Sequence, residues 1–445
     1  MAYQNTLEYA SNKDATDPLI SWRDKFYFPM MNNKKVIYFT GNSLGLQPKT
    51  TQNYIINELE DWATFGVEGH LHARKPWISY HEQFAAPVSK IVGANPNEIV
   101  IMNQLTVNLN LLLVSFYRPT KNRYKILCEA KAFPSDQYAI ASQVKFHGFN
   151  PEDAIIEVAP RDGEHCIHNE DIIEAIEKNK NSIALIMIGG VNYYTGQVFN
   201  MKAITEAGQK AGAVVGFDLA HAAGNVKLQL HDWNVDFACW CTYKYLNSGP
   251  GSVGGVFIHE KNLNNPDIPR FAGWWGHDKA TRFKMEKEFM PLETAEAWQM
   301  SNAPVLSMAA HRASIDIFEE VGMDALVLKA EKLTGYLEFI IDDINKVLLR
   351  DKSSRETDTF KKETKDGLLE IITPRDKNQR ACQISILAHG RGKELFDKLT
   401  SEGVIADWRE PNVIRCAPVP LYNSFEDVYR FGIILKSILL PNDGV

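Results

Sequence analysis

The sequence predicts an α/β protein, with a large domain built on a mostly parallel sheet and a smaller α+β domain after it. Two observations predict the large domain. Short, mostly continuous apolar runs recur between residues 98 and 259, as expected of strands covered on both faces. Amphipathic stretches fall between them, and that alternation is how a chain builds a parallel sheet through helical crossovers. A third observation predicts the smaller domain: the alternation stops after about residue 303 and a long helical pattern takes over.

In chain order, the expected strands are 98–102, 124–129, 154–158, 183–188, 213–219, 237–242 and 255–259, with helices expected over 169–178 and 201–211. Beyond 303, the pattern predicts helix over 305–349 with a break near Gly322, then a charged surface loop over 351–366. Strand-like runs at 368–373, 382–388 and 413–417 and helical patterns at 393–402 and 424–440 complete the smaller domain. The expected organisation is an N-terminal segment 1–50, a large domain 51–303 and a small domain 304–445.

Composition narrows the function classes. The chain has 445 residues, 45% hydrophobic and 23% charged, ordinary for a soluble protein. Its net charge of −7 gives no support for nucleic-acid binding. No run of about 18 apolar residues suggests a membrane span, and the polar first residues lack the blocks of a signal peptide. The six cysteines form no C-x-x-C, so neither a zinc ribbon nor a disulfide framework is indicated, and a cytoplasmic location is expected. Cys239 and Cys241 alternate within an apolar run and read as core rather than metal ligands.

One stretch carries chemistry. Lys244 stands between Tyr243 and Tyr245 where a buried strand ends, and Gly249, Gly251 and Gly254 follow in a G-x-G-x-x-G pattern. A dinucleotide fingerprint needs a helix after the glycines. Here an apolar, strand-like run follows instead, so the glycines read as a turn. The other possibility is a reactive lysine. Upstream, Asp218 closes another apolar strand, with His221 just beyond it. A carboxylate there is costly without a partner, and ligands of open α/β sheets bind at the carboxyl ends of strands. Lysine and aspartate at the ends of successive strands suit pyridoxal phosphate, whose ring nitrogen needs an acidic partner.

The pair of segments DLAH at 218–221 and YKYLNSGPG at 243–251 resembles the fold-type-I (aspartate-aminotransferase-like) pyridoxal-phosphate enzymes, and specifically the kynureninase family. The resemblance covers nearly the whole chain: YFTGNSLGLQP at 38–48, GVEGH at 66–70, FPSDQYA at 133–139, YTGQ at 194–197, GWWGHD at 273–278, QMSNAP at 299–304 and IRCAPVPLYNSF at 414–425. It implies pyridoxal 5'-phosphate as cofactor and a seven-stranded large-domain sheet. The activity it implies is hydrolysis of L-kynurenine, and of 3-hydroxykynurenine, to the anthranilate and L-alanine in tryptophan catabolism.

By the same resemblance, Lys244 would carry the cofactor as an imine, Asp218 would face the ring nitrogen, and His221 would support that end. Phe133 would stack on the ring and Asp136 would lie near it. Leu105, Thr106 and Tyr243 would serve the phosphate, and Tyr243 would also donate a proton. Trp274 and Asn302 would reach the site of a neighbouring subunit, which implies a homodimer. Ser43, His70 and Asn302 would face the aryl end of the substrate, and Arg415 would clamp its α-carboxylate. Gly189 stands where some members carry serine, so one cofactor contact is expected to be missing or supplied by water. Read without the family, Phe133 reads as a core aromatic, Thr106 as a helix cap and His70 as a loop residue, whereas Arg415 inside an apolar run favours a ligand or partner carboxylate, with a structural salt bridge as the alternative. The rival functions are another fold-type-I enzyme, such as a cysteine desulfurase or class V aminotransferase, and a non-catalytic α/β binding protein.

Overall fold

The order of the central sheet decides which chain segments meet. The computed structural model describes residues 2–355 and 367–440. Seven strands make up the large sheet: β1 (Ile99–Met102), β2 (Lys125–Glu129), β3 (Ile155–Val158), β4 (Ile183–Gly189), β5 (Val214–Asp218), β6 (Phe237–Cys241) and β7 (Gly254–Ile258), in the order β1-β7-β6-β5-β4-β2-β3. The strands from β6 through β3 pair in parallel. Only β7 runs the other way, antiparallel to both β6 and β1. The reversal has a local cause. No crossover helix separates β6 from β7, and a connection without one returns the chain antiparallel. Gly249 and Gly251 make the turn at φ of +90° and +67°, a region that side chains disfavour. Gly254 is needed for close approach, since a Cβ there would lie 2.8 Å from Asn108 Nδ2 and 2.9 Å from the Trp240 carbonyl.

This topology gathers the carboxyl ends of β1, β2, β4, β5 and β6 on one edge. Strands β1, β6 and β7 are buried throughout, which explains their continuous apolar sequences. Between the strands run α1 (Leu105–Phe116), α2 (Pro134–Phe146), α3 (Asn169–Lys178) and α4 (Met201–Lys210). Pro134 opens α2, where its missing N–H costs no hydrogen bond.

The chain divides into two compact units. The larger is Thr50–Tyr193 with Val198–Met323; the smaller is Met1–Lys49, Tyr194–Gln197 and Asp324–Val445. The smaller unit holds an antiparallel sheet of β8 (Leu369–Ile371), β9 (Ile384–Ala388), β10 (Asp407–Arg409) and β11 (Val413–Cys416), ordered β8-β9-β11-β10. Leu333, Leu337, Ile340 and Ile344 lie along one face of the helix Met323–Arg355. They share a core with Ile384, Ile414, Val428 and Phe431. The last helix, Phe425–Leu439, starts on a capping box between Ser424 and Asp427.

The expected helix break falls at Gly322, φ +74°, between Val305–Val321 and Met323–Arg355. The expected loop over 351–366 needs correction. Residues 351–355 continue the helix, because no glycine or proline stops it after the buried Leu348. The rest of that stretch, 356–366, lies outside the described residues.

Candidate active site

A cavity of about 290 Å³ opens at the carboxyl edge of the large sheet. Its lining comes from the ends of β2, β4 and β5, the starts of α1 and α2, and the turn after β6, all in the larger unit. Lys244 is only 9% exposed. Its Nζ lies 2.9 Å from His221 Nε2, and 5.9 Å from the ring centres of both Phe133 and Tyr243. Asp218 lines the same cavity and accepts the Ala220 N–H at 2.7 Å. The lysine and aspartate singled out in the sequence therefore share one site.

The site carries an excess of buried carboxyl groups. Asp136, in the first turn of α2, lines the cavity with Asp218, and its Oδ1 has no hydrogen-bond partner among the described residues. Burial raises both carboxyls above their usual range, Asp136 well above it, with Asp218 and Glu129 adding repulsion at Asp136. Glu129 ends β2, lines the cavity and is pushed up to about 7, chiefly by burial. Tyr243 is also raised, by burial first and then by Cys241.

These residues fit pyridoxal phosphate. Three buried carboxyls around one lysine lack positive charge, which a protonated ring nitrogen supplies. The N-terminus of α1 meets the cavity at Gln104, Leu105 and Thr106, with no side-chain cap, and a helix N-terminus with open N–H groups suits a phosphate. Phe133 is 42% exposed and lines the cavity, so it is not a core aromatic.

Other expected residues lie elsewhere. His70 is not in the cavity lining; its Nδ1 lies 2.9 Å from the Val67 carbonyl and its ring stands edge-on to Trp77. Trp274 and Asn302 are exposed on the larger unit and do not line this chain's own cavity. Ser43 and Arg415 belong to the smaller unit. Ser43 sits in a turn, its N–H bonded to the Thr40 carbonyl. Arg415 is fully buried on β11, with its Nη2 2.7 Å from Asp407 Oδ2; Arg409 approaches the same oxygen at 3.3 Å.

Sequence reasoning missed Glu129, although the signal was present. KILCE closes an apolar strand with a carboxylate, just as VVGFD does at Asp218. It also missed Gln104, Ser135, Val191 and Tyr193, whose residue types carry no distinctive pattern.

Comparison with known proteins gives a consistent result. Residues 37–366 match the aminotransferase class-V family, and residues 349–435 match the kynureninase C-terminal domain. A kynureninase of Flavobacterium psychrophilum is 58% identical over 99% of this chain and 100% of its own length. A kynureninase of Homo sapiens is 47% identical over 97% and 92%. Among solved structures, an apo cysteine desulfurase from Thermococcus onnurineus superposes with a TM-score of 0.72 at 17% identity, covering 99% of this chain and 100% of that one, which shows the shared fold.

Proposed function

Since the chain belongs to the kynureninase family, we propose that it hydrolyses the Cβ–Cγ bond of L-kynurenine, and of 3-hydroxykynurenine, giving the anthranilate and L-alanine. The observation that carries this reading is the convergence of Lys244, His221 and Asp218 on one cavity. The cysteine-desulfurase alternative has less support. Five of the six cysteines are buried, and the resemblance to that enzyme is one of fold.

Lys244, Asp218, His221, Phe133, Asp136, Leu105, Thr106 and Tyr243 would hold pyridoxal phosphate. When bound, that group supplies an electron sink for charge developing at the substrate α-carbon. Lys244 Nζ takes the α-proton, and its contact with His221 keeps the amine aimed into the cavity. Asp218 holds a proton at the ring-nitrogen end. Its burial and its Ala220 hydrogen bond fix the carboxylate before the reaction begins. Water adds to the substrate γ-carbonyl, the Cβ–Cγ bond breaks, and Tyr243, whose phenol is kept protonated by burial, delivers the proton to the β-carbon.

Arg415 would clamp the α-carboxylate. Arg409 and Arg415 both meet the Asp407 carboxylate, and the planar guanidinium fork of Arg415 suits a carboxylate. Ser43, His70 and Asn302 would meet the aryl group, with Asn302 and Trp274 coming from a second subunit of a homodimer. The exposed apolar residues Ile56, Leu59, Trp62 and Phe65 on the helix Thr51–Phe65 support that dimer. A cytoplasmic enzyme is consistent with the described helices, none of which is long and apolar enough to cross a membrane.

The test is direct. Purified protein with pyridoxal phosphate and L-kynurenine should release fluorescent anthranilate and alanine in equal amounts, and gel filtration should give a dimer. Release of sulfur from cysteine without anthranilate would overturn the assignment. Comparing kcat/KM for the two kynurenines sets the substrate preference.

A further inference from the structure

Glu129 has no assigned role, yet it faces the cofactor cavity and is only 5% exposed. The Gly189 N–H at the end of β4 donates to both of its oxygens, at 3.1 and 3.2 Å. Gly189 also leaves the room this needs, because a Cβ there would lie 2.9 Å from Glu129 Oε1. The carboxylate is thus aimed by backbone on one side and open to the cavity on the other. Among the described residues its hydrogen bonds run to backbone N–H groups and not to a cation. A purely structural acceptor for one N–H needs no charge, and glutamine would serve as well. A buried charge without a cation calls for a compensating positive group.

We propose that Glu129 is a positioning residue of this site: its carboxylate, aimed by Gly189, acts with Asp136 and Asp218 to hold a cationic ring nitrogen in the cavity. The inference rests on the pyridoxal-phosphate reading. The charged and titratable groups around Glu129 are Cys128 beside it on β2, Asp136 from the start of α2, Tyr193 beyond β4, Asp218 from the end of β5, His221 from the turn beyond β5, and Tyr243 and Lys244 from the turn beyond β6. One lysine cannot balance three ionised carboxylates in a buried pocket, and Glu129 is pushed up to about 7 by burial. A bound ring cation favours the ionised form. Cofactor and proton then compete for the same end of the cavity.

The experiment measures pyridoxal-phosphate affinity of the apoenzyme by fluorescence quenching from pH 6 to pH 8, for the natural protein and Glu129→Gln. Glutamine keeps the acceptor for Gly189 and removes the charge. The variant should bind about tenfold more weakly at pH 8, the effect of one unit of lost charge interaction, and the gap should close toward pH 6. An equal gap at both pH values, or none, overturns the proposal. Gly189→Ala pushes the carboxylate aside without removing it, so it provides a test even if the glutamine variant folds poorly. It should weaken binding too, and the double variant should be no weaker than Glu129→Gln alone; additive losses would also overturn the proposal. Failure of the natural protein to take up pyridoxal phosphate would instead defeat the cofactor reading on which this rests.

Discussion

Buried charge is arranged in opposite senses in the two units. In the larger, Glu129, Asp136 and Asp218 face one cavity with Lys244 as their cation. In the smaller, Arg409 and Arg415 share Asp407. The smaller unit also contains matched pairs: Arg23 and Asp427 meet through two nitrogens and two oxygens, and Lys329 meets Asp17 at 2.7 Å. The difference separates ligand sites from scaffold. A matched pair is complete in itself. A cavity lined by three buried carboxyls with one lysine bears a desolvation cost that a cationic ligand relieves.

The largest effect expected from this contrast is at the unmatched lysine. Lys244→Ala should abolish turnover and the visible absorption of the bound cofactor while leaving the thermal midpoint of the apoenzyme nearly unchanged. Removing one buried ammonium leaves the carboxyls free to take up protons. Retained turnover would break the comparison at its strongest point.

Arg23 and Arg415 should then respond in different observables. Asp427→Ala strands Arg23 without its carboxylate and should cost roughly 3–5 kcal/mol of stability, the usual price of breaking a buried pair. KM measured on the folded fraction should stay the same. Arg415→Ala leaves Asp407 with Arg409 as a partner, so its stability loss should be smaller. KM should rise by an amount equivalent to about 1.5–3 kcal/mol, the range of a charge-assisted hydrogen bond. Denaturant melts alongside steady-state kinetics separate the two. An unchanged KM in Arg415→Ala would make its cluster scaffold and erase the distinction.

How much of this was legible in the sequence follows from what kind of information each residue carries. The large-sheet strands announce themselves as apolar runs, most plainly β1, β6 and β7, because strands buried on both faces have no polar positions to spare. The reversal of β7 was legible in Gly249 and Gly251. Lys244 and Asp218 stood out because a charge that ends an apolar strand is improbable without a use. Glu129 carries the same mark at the end of KILCE, but it belongs to no motif that draws attention to it. Asp407 was illegible for a different reason. Its importance lies in which two guanidiniums fold against it, and β10 and β11 are brought together by sheet pairing rather than by spacing along the chain. The charged sequence at 351–355 resembles a loop, yet Arg, Asp, Lys and Ser break no helix when no glycine or proline is present.

The smallest effect concerns a third arrangement, in which one buried carboxylate meets two imidazoles. Glu98 is fully buried; its Oε1 lies 3.0 Å from His231 Nδ1 and 3.7 Å from His259 Nδ1, and it also accepts the Glu260 N–H. The two rings are stacked with centres 4.9 Å apart. They shift in opposite directions. The hydrogen bond to Glu98 raises His231, whereas burial lowers His259. A raised folded-state pKa contributes stability that is full below the unfolded value near 6.5 and is lost as pH climbs through the folded value. A lowered histidine has the opposite sense, and its contribution is lost as pH falls below that unfolded value. His231 therefore governs the alkaline side. Its side chain is 30% exposed, so solvent screening keeps the pair to a fraction of 1 kcal/mol. The thermal midpoint of the natural protein should fall by about 1 °C between pH 6.5 and pH 8.5 through this pair alone, and His231→Gln should remove that increment while leaving kcat and KM untouched. If the increment survives in His231→Gln, the Glu98 cluster is not a titrating scaffold pair. A change in KM would move the cluster from scaffold to site, and the rule that sorts buried charges by whether they are matched would fail in the larger unit.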